Sequence, residues 1–147
     1  MGFFKRFGTK SGRTKYGNKR VVIDGMTFDS KKEYQVYLEL LKMQEQGDIT
    51  DLERQVKFTL IPTILEEYEV RLKTKTKVKE RVAEKSVTYT ADFVWKKDGE
   101  PVVCDVKASQ KATALDKSYI IKRKIMRYYL GIKIFEVYDV EDLRRYE

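Results

Sequence analysis

Apolar and polar residues alternate along the chain with two different periods, and these periods divide it into elements. The stretch "RVVIDGMTFDS", residues 20–30, reads as a short strand, a turn at Asp24-Gly25 and a lead into a helix. Ser30 is a good N-cap, Tyr34, Tyr37, Leu38 and Leu41 follow the i, i+3, i+4, i+7 spacing of one buried face, and Gly47 stands where the helix should stop. "QVKFTLI" then alternates as a strand, with Val56, Phe58 and Leu60 on one side and Pro62 ending it. In residues 66–85, "EEYEVRLKTKTKVKERVAEK", the alternation favours a long exposed hairpin over a helix, because Arg71, Lys73, Lys75, Lys77, Lys79 and Arg81 all occupy odd positions. They would form a basic ribbon face suited to a phosphate backbone, although the same run also reads as a solvated edge guarded by lysines. A second helix is predicted over Lys117 to Leu130, packed through Ile121, Ile125 and Tyr128 and closed by Gly131, and "IKIFEVY" is the last strand. The order αβββαβ predicts an α/β or α+β domain with helices packed on a central sheet.

Residues 89–109, "YTADFVWKKDGEPVVCDVKAS", hold the most informative hairpin. Asp98-Gly99 is the strongest short-range turn signal in the chain, and a two-residue loop there places Asp92 directly opposite Asp105. Ala91, Phe93 and Trp95 then share an apolar core face with Val102, Cys104 and Val106. The opposite face carries Thr90, Asp92 and Val94 beside Val103, Asp105 and Lys107. Like charges held directly opposite are destabilising, so the two carboxylates need something positive between them. Lys107, one pleat along, neutralises part of the charge; a divalent cation bridging both is the more complete answer. Mg²⁺ fits, because it takes oxygen ligands, commonly one or two carboxylates with water and substrate phosphate.

Charge adds a partner class. The formal net charge is +8, and residues 1–20 carry Lys5, Arg6, Lys10, Arg13, Lys15, Lys19 and Arg20 with no acid. The Gly-rich leader, residues 1–20, therefore reads as a basic arm, and residues 21–147 as one nearly neutral domain. Such an arm gains affinity from phosphates by counterion release, so nucleic acid is the leading partner, with Lys15, Lys19 and Arg20 as candidate contacts; the bland reading is a solvated tail. Composition also excludes chemistry. There is one cysteine, Cys104, and no histidine, which removes disulfide frameworks, Cys/His zinc sites and histidine bases. No apolar run approaches a signal h-region or a membrane span, so a cytoplasmic protein is expected, in a bacterial or phage-infected host.

On these residues the chain resembles the PD-(D/E)XK nuclease superfamily, whose restriction-endonuclease-like αβββαβ core is a central mixed sheet flanked by helices. "ADF" supplies Asp92, "CDVK" supplies Asp105 and Lys107, and "FDSKKE" supplies a helix carboxylate, Glu33. The likeness runs from about residue 26 to 138, and is nearest to small phage-encoded members of the junction-resolving endonuclease I type and the transposon-end-cutting type. Ala91 stands where the superfamily's name has Pro. The resemblance implies that Asp92, Asp105, Glu33 and the Val106 carbonyl hold one or two Mg²⁺ ions, with Mn²⁺ able to substitute, and that Lys107 orients or deprotonates the attacking water or neutralises the phosphorane. It implies DNA as substrate, Lys122 and Lys124 of the second helix as phosphate contacts, and a homodimer, since two symmetric nicks need two sites. Glu33 has a purely structural reading too: "SKKE" is a capping box, in which Glu at N3 reaches back to the N-cap amide. Gln55 opens the second strand and can be read as pointing toward the same site, with the structural reading preferred.

The expectation is thus a Mg²⁺-dependent DNA endonuclease. A second class is a non-catalytic nucleic-acid-binding protein with the same fold, and a third is an assembly protein whose hairpin charges are surface decoration. Metal binding separates the first from the others.

Overall fold

The computed structural model describes residues 19–146. β1 (Val21–Ile23) and β2 (Met26–Phe28) pair as a hairpin, and Asp24 and Gly25 are both left-handed, the combination that matches a two-residue turn to strand twist. α1 (Lys31–Gln46) starts where Ser30 Oγ accepts the Glu33 N–H at 3.1 Å and stops at left-handed Gly47. β3 (Thr50–Ile61), β6 (Val87–Lys97), β7 (Glu100–Val106) and β8 (Phe135–Val137) form the main sheet in the order β3-β6-β7-β8. β8 is parallel to β7 and the other pairs are antiparallel, so the sheet is mixed. A parallel pair needs a crossover, here α2 (Gln110–Leu115) and α3 (Lys117–Leu130), and a 3-10 helix (Val140–Arg145) follows β8. The fold is α+β, and α1, β3, β6, β7, α3 and β8 reproduce the αβββαβ order.

Between β3 and β6 the chain runs out into β4 (Ile64–Arg71) and β5 (Thr76–Glu84), an antiparallel ribbon that makes its own two-stranded sheet. It is a hairpin rather than a helix. The basic face is smaller than the alternation predicts, because the strand reverses through a turn in which the Leu72 N–H donates to Lys75 O at 2.8 Å. With Val70 opposite Lys77, even positions of β4 share a face with odd positions of β5. Lys77, Lys79 and Arg81 therefore lie beside Tyr68 and Glu66, while Arg71, opposite Thr76, falls on the other face and Lys73 and Lys75 belong to the turn.

The main sheet is covered on both faces. Val36 and Leu40 of α1 pack with Phe93, Trp95, Val102, Cys104, Val137 and Leu143; Tyr119 and Met126 of α3 pack with Tyr89, Ala91, Val103 and Ile134. Ala91 is buried as predicted but in the second cluster. The second face, which carries the hairpin's polar groups, lies under α3, which leaves Asp105 only 6% exposed. Each helix also turns a different stripe inward from the one its apolar residues predict. In α1 the stripe runs through Glu33, Val36 and Leu40 and leaves Leu38 exposed. Two stripes satisfy the 3.6 period there, and only docking chooses between them. In α3 Tyr119 and Arg123 face inward because Glu136 on β8 offers both of them an acceptor, so Ile121 and Tyr128 are left outside.

Candidate active site

The hairpin register is the one that the turn predicts: Phe93 pairs with Cys104 and Lys97 with Glu100 around left-handed Asp98 and Gly99. The next pair outward would be Asp92 and Asp105. There the ladder stops, and Asp92 Oδ2 accepts the Val106 N–H at 2.8 Å in place of a strand partner. Val106, whose carbonyl the resemblance offers as a ligand, is thereby held against the carboxylate pair. Burial first, and then the charge of Asp105 beside it, push the Asp92 carboxyl up to about 9.

Asp105 Oδ2 takes an ion pair from Lys107 Nζ at 2.8 Å, with both side chains largely buried. The same Nζ lies 3.5 Å from the centre of the Tyr119 ring, whose face attracts the cation. Main-chain contacts fix the turn away from β7: Lys32 Nζ on α1 donates to Lys107 O at 3.1 Å and to Ala108 O at 3.0 Å. Neither Lys32 nor Tyr119 carries a sequence signal for this role, since both arrive through helix docking.

Glu33 is 2% exposed. Its Oε2 accepts the Asp29 N–H at 2.7 Å, one residue before the N-cap, so the capping box of the sequence is modified rather than closed. Its Oε1 accepts from Gln55 Nε2 at 3.1 Å, and that nitrogen also reaches Asp92 Oδ1 at 3.4 Å. Gln55, which lies within β3 and not at its start as the sequence suggests, is thus the link between the helix carboxylate and the hairpin pair, a larger part than the structural reading preferred from sequence. It adopts a left-handed backbone, φ 52, which is uncommon for a residue with a side chain and aims the amide at the acids. Burial raises the Glu33 carboxyl, opposed mainly by the Asp29 N–H.

Two neighbours complete the surroundings. The Tyr89 hydroxyl is buried with no hydrogen-bond partner, and burial first, then the Asp105 charge, push its phenol well above the usual tyrosine range. Glu136, paired across β7–β8 with Asp105, is neutralised by Tyr119 Oη at 2.8 Å, Tyr138 Oη at 2.6 Å and Arg123. These donors lower its carboxyl despite its burial. Cys104 is fully buried, and burial pushes its thiol up, away from nucleophilic use.

The predicted site residues are therefore brought together unequally. Glu33, Asp92, Asp105, Val106 and Lys107 converge. Lys19 lines a cavity of about 350 Å³ with Lys31, Lys32, Val106 and Lys107. Arg20 is turned to Asp29 at 3.4 Å in an exposed pair, and Lys15 lies outside the described residues. Lys122 is half-buried on α3, and Lys124 lines a different groove. Among the described residues, no three of Asp, Glu and Cys lie close enough to hold a metal ion by themselves. What the described residues do offer is a set of oxygen donors: two adjacent carboxylates, and a third joined to them through Gln55.

A family model described as "Protein of unknown function (DUF1064)" matches residues 13–140. The chain belongs to the DUF1064 family. No curated protein and no solved structure matches it. The match spans every DUF1064 residue of the carboxylate cluster and enters the last part of the basic arm, while the family description names no activity. No helix among the described residues is long and apolar enough to cross a membrane.

Proposed function

We propose that the chain is a Mg²⁺-dependent DNA endonuclease of the PD-(D/E)XK type, working in the cytoplasm and selective for branched or junction DNA. The observation that carries the reading is the pairing of Asp92 with Asp105 under cover, with Lys107 on Asp105 and Glu33 tied to Asp92 through Gln55. A purely structural site has no use for two acids that raise each other's cost of ionisation. Asp92, Asp105, Glu33 and the Val106 carbonyl would hold Mg²⁺, or Mn²⁺ in its place. When bound, the ion supplies a water of lowered pKa and charge for the leaving oxygen. Lys107, held between Asp105 and the Tyr119 ring, is placed to hold a proton or to offset charge on the phosphate. Lys19, Lys31 and Lys32, which line the cavity beside Lys107, would meet the phosphate backbone, and the basic side of the β4–β5 ribbon offers a second contact. A homodimer is part of the proposal, because paired nicks need two sites.

The test is cleavage of supercoiled plasmid, linear duplex and a four-way junction by the wild type and Lys107→Ala in Mg²⁺, Mn²⁺ or EDTA, with circular dichroism confirming that both are folded. Metal-dependent cutting that Lys107→Ala loses supports the proposal, and the preferred DNA names the substrate. A second reading, a nucleic-acid binder without catalysis, is favoured by the absence of a three-acid metal cluster among the described residues. It gains if both proteins shift DNA equally and neither cuts.

A further inference from the structure

A separate groove of about 870 Å³ lies along β8, the outer strand of the main sheet, between α3 and the 3-10 helix. Five cations line it: Arg123, Lys124 and Arg127 from α3, Lys133 from the loop before β8, and Arg145. Its acid is Glu136, already satisfied by Arg123 and two tyrosine hydroxyls. Among the described residues Lys124, Arg127, Lys133 and Arg145 have no ion-pair partner, so the groove holds uncompensated positive charge in a concave wall that concentrates the field. Glu136 connects it to the carboxylate site, since it pairs with Asp105 across the strands and shares Tyr119 with Lys107.

A second, independent feature lies on the same helix as three of the groove's cations. Tyr128 and Tyr129 are 82% and 75% exposed, and their rings meet edge-on at 4.9 Å. Tyr128 follows Lys124, which lines the groove, by one helical turn, so the two side chains are neighbours on the surface of α3. Two large aromatic side chains left in water beside free cations match what an unstacked nucleotide needs: a ring to lie against and charge for its phosphates. Paired bases are already stacked and would not use the tyrosines. Acidic peptide would use the cations but gains little from the rings.

We infer that the β8 groove, with Tyr128 and Tyr129, binds a single-stranded stretch of nucleic acid, and so directs a branched or tailed substrate to the neighbouring carboxylates. This deepens the nuclease proposal and rests on its nucleic-acid reading.

The experiment is fluorescence anisotropy in EDTA, so that no cutting intervenes, with a labelled single strand, a duplex of equal length and a duplex with a single-stranded tail. Wild type is compared with Tyr128→Ala/Tyr129→Ala and with Lys124→Ala/Arg127→Ala, all four residues being on the outer part of α3 and checked by thermal melting. The tyrosine pair should weaken single-strand and tailed binding by roughly tenfold or more and leave duplex binding nearly unchanged. The cation pair should weaken single-strand binding and reduce the slope of log affinity against log salt by about 1.4. Equal affinity for duplex and single strand, no loss in the tyrosine variant, or displacement by poly-glutamate as effective as by unlabelled single strand would each overturn the inference. The two proposals fail separately. Tyrosine-dependent single-strand binding without metal-dependent cutting keeps the groove and removes the nuclease, whereas cutting with unaltered binding in the variants does the reverse.

Discussion

Two ion pairs of nearly the same length show how differently one chain uses a β-hairpin. Arg81–Glu66 on the β4–β5 ribbon measures 2.6 Å and Lys107–Asp105 at the end of β7 measures 2.8 Å. The first has side chains 62% and 47% exposed; the second, 19% and 9%. On the ribbon, water solvates both charges whether or not they meet, so the pair contributes little. Beneath α3, each charge depends on its partner, because water no longer competes and a second carboxylate stands alongside. Sequence alternation favours a strand pair in both, although a turn signal fixes the register only in the second. What separates them is the layer of helix over one and not over the other.

The largest effect that would break this comparison concerns activity. Asp92→Asn keeps shape and the acceptor for the Val106 N–H but removes a charge, and it should lower the metal-dependent cleavage proposed for this site at least about a hundredfold, a loss of roughly 3 kcal/mol or more of transition-state stabilisation. Near-normal cutting by this variant would place the chemistry elsewhere.

Stability gives the next contrast. Lys107→Met leaves Asp105 buried beside Asp92 without a cation and should cost about 2 to 4 kcal/mol in urea unfolding, while Arg81→Ala on the ribbon should change stability by less than about 0.5 kcal/mol. Equal effects would mean that covering by α3 does not matter.

A smaller effect has the opposite sign. Asp92 is held at about 9 in the folded chain against an ordinary 3.8, so between these values the fold keeps a proton that the unfolded chain has lost. Without metal, the contribution of this group is fully present below about pH 4 and is lost as pH rises toward about 9. Asp92→Asn should therefore be more stable than wild type in EDTA at pH 8, by about 1 to 2 kcal/mol, with the gain vanishing near pH 4. Melting curves at the two pH values test the sign directly.

The smallest concerns Tyr89. Its buried hydroxyl has no partner, so Tyr89→Phe should be neutral or stabilising by up to about 1 kcal/mol. A clear destabilisation, seen as a lower melting temperature, would show that the hydroxyl is bonded within the carboxylate cluster.

The part of this protein that could be read directly is the part governed by neighbours in sequence. Ser30, Gly47 and Gly131 mark helix ends through bonds to residues three to five positions away, and Asp98-Gly99 sets a register that carries Asp92 to the level of Asp105. Those are local rules, and the backbone obeys them wherever the segment is placed. Packing decided the rest. Only docking on the sheet chose Val36 and Leu40 over Leu38, drew Tyr119 and Arg123 inward to Glu136, and brought Lys32 to the Lys107 carbonyl. Glu33, Gln55 and Asp92 meet across three separate elements, a coincidence that no local pattern encodes. The carboxylates were legible as a pair from the sequence; their burial, which makes the pair costly to ionise, came from the helix laid over them, because desolvation is a property of the assembled layers and not of any one strand.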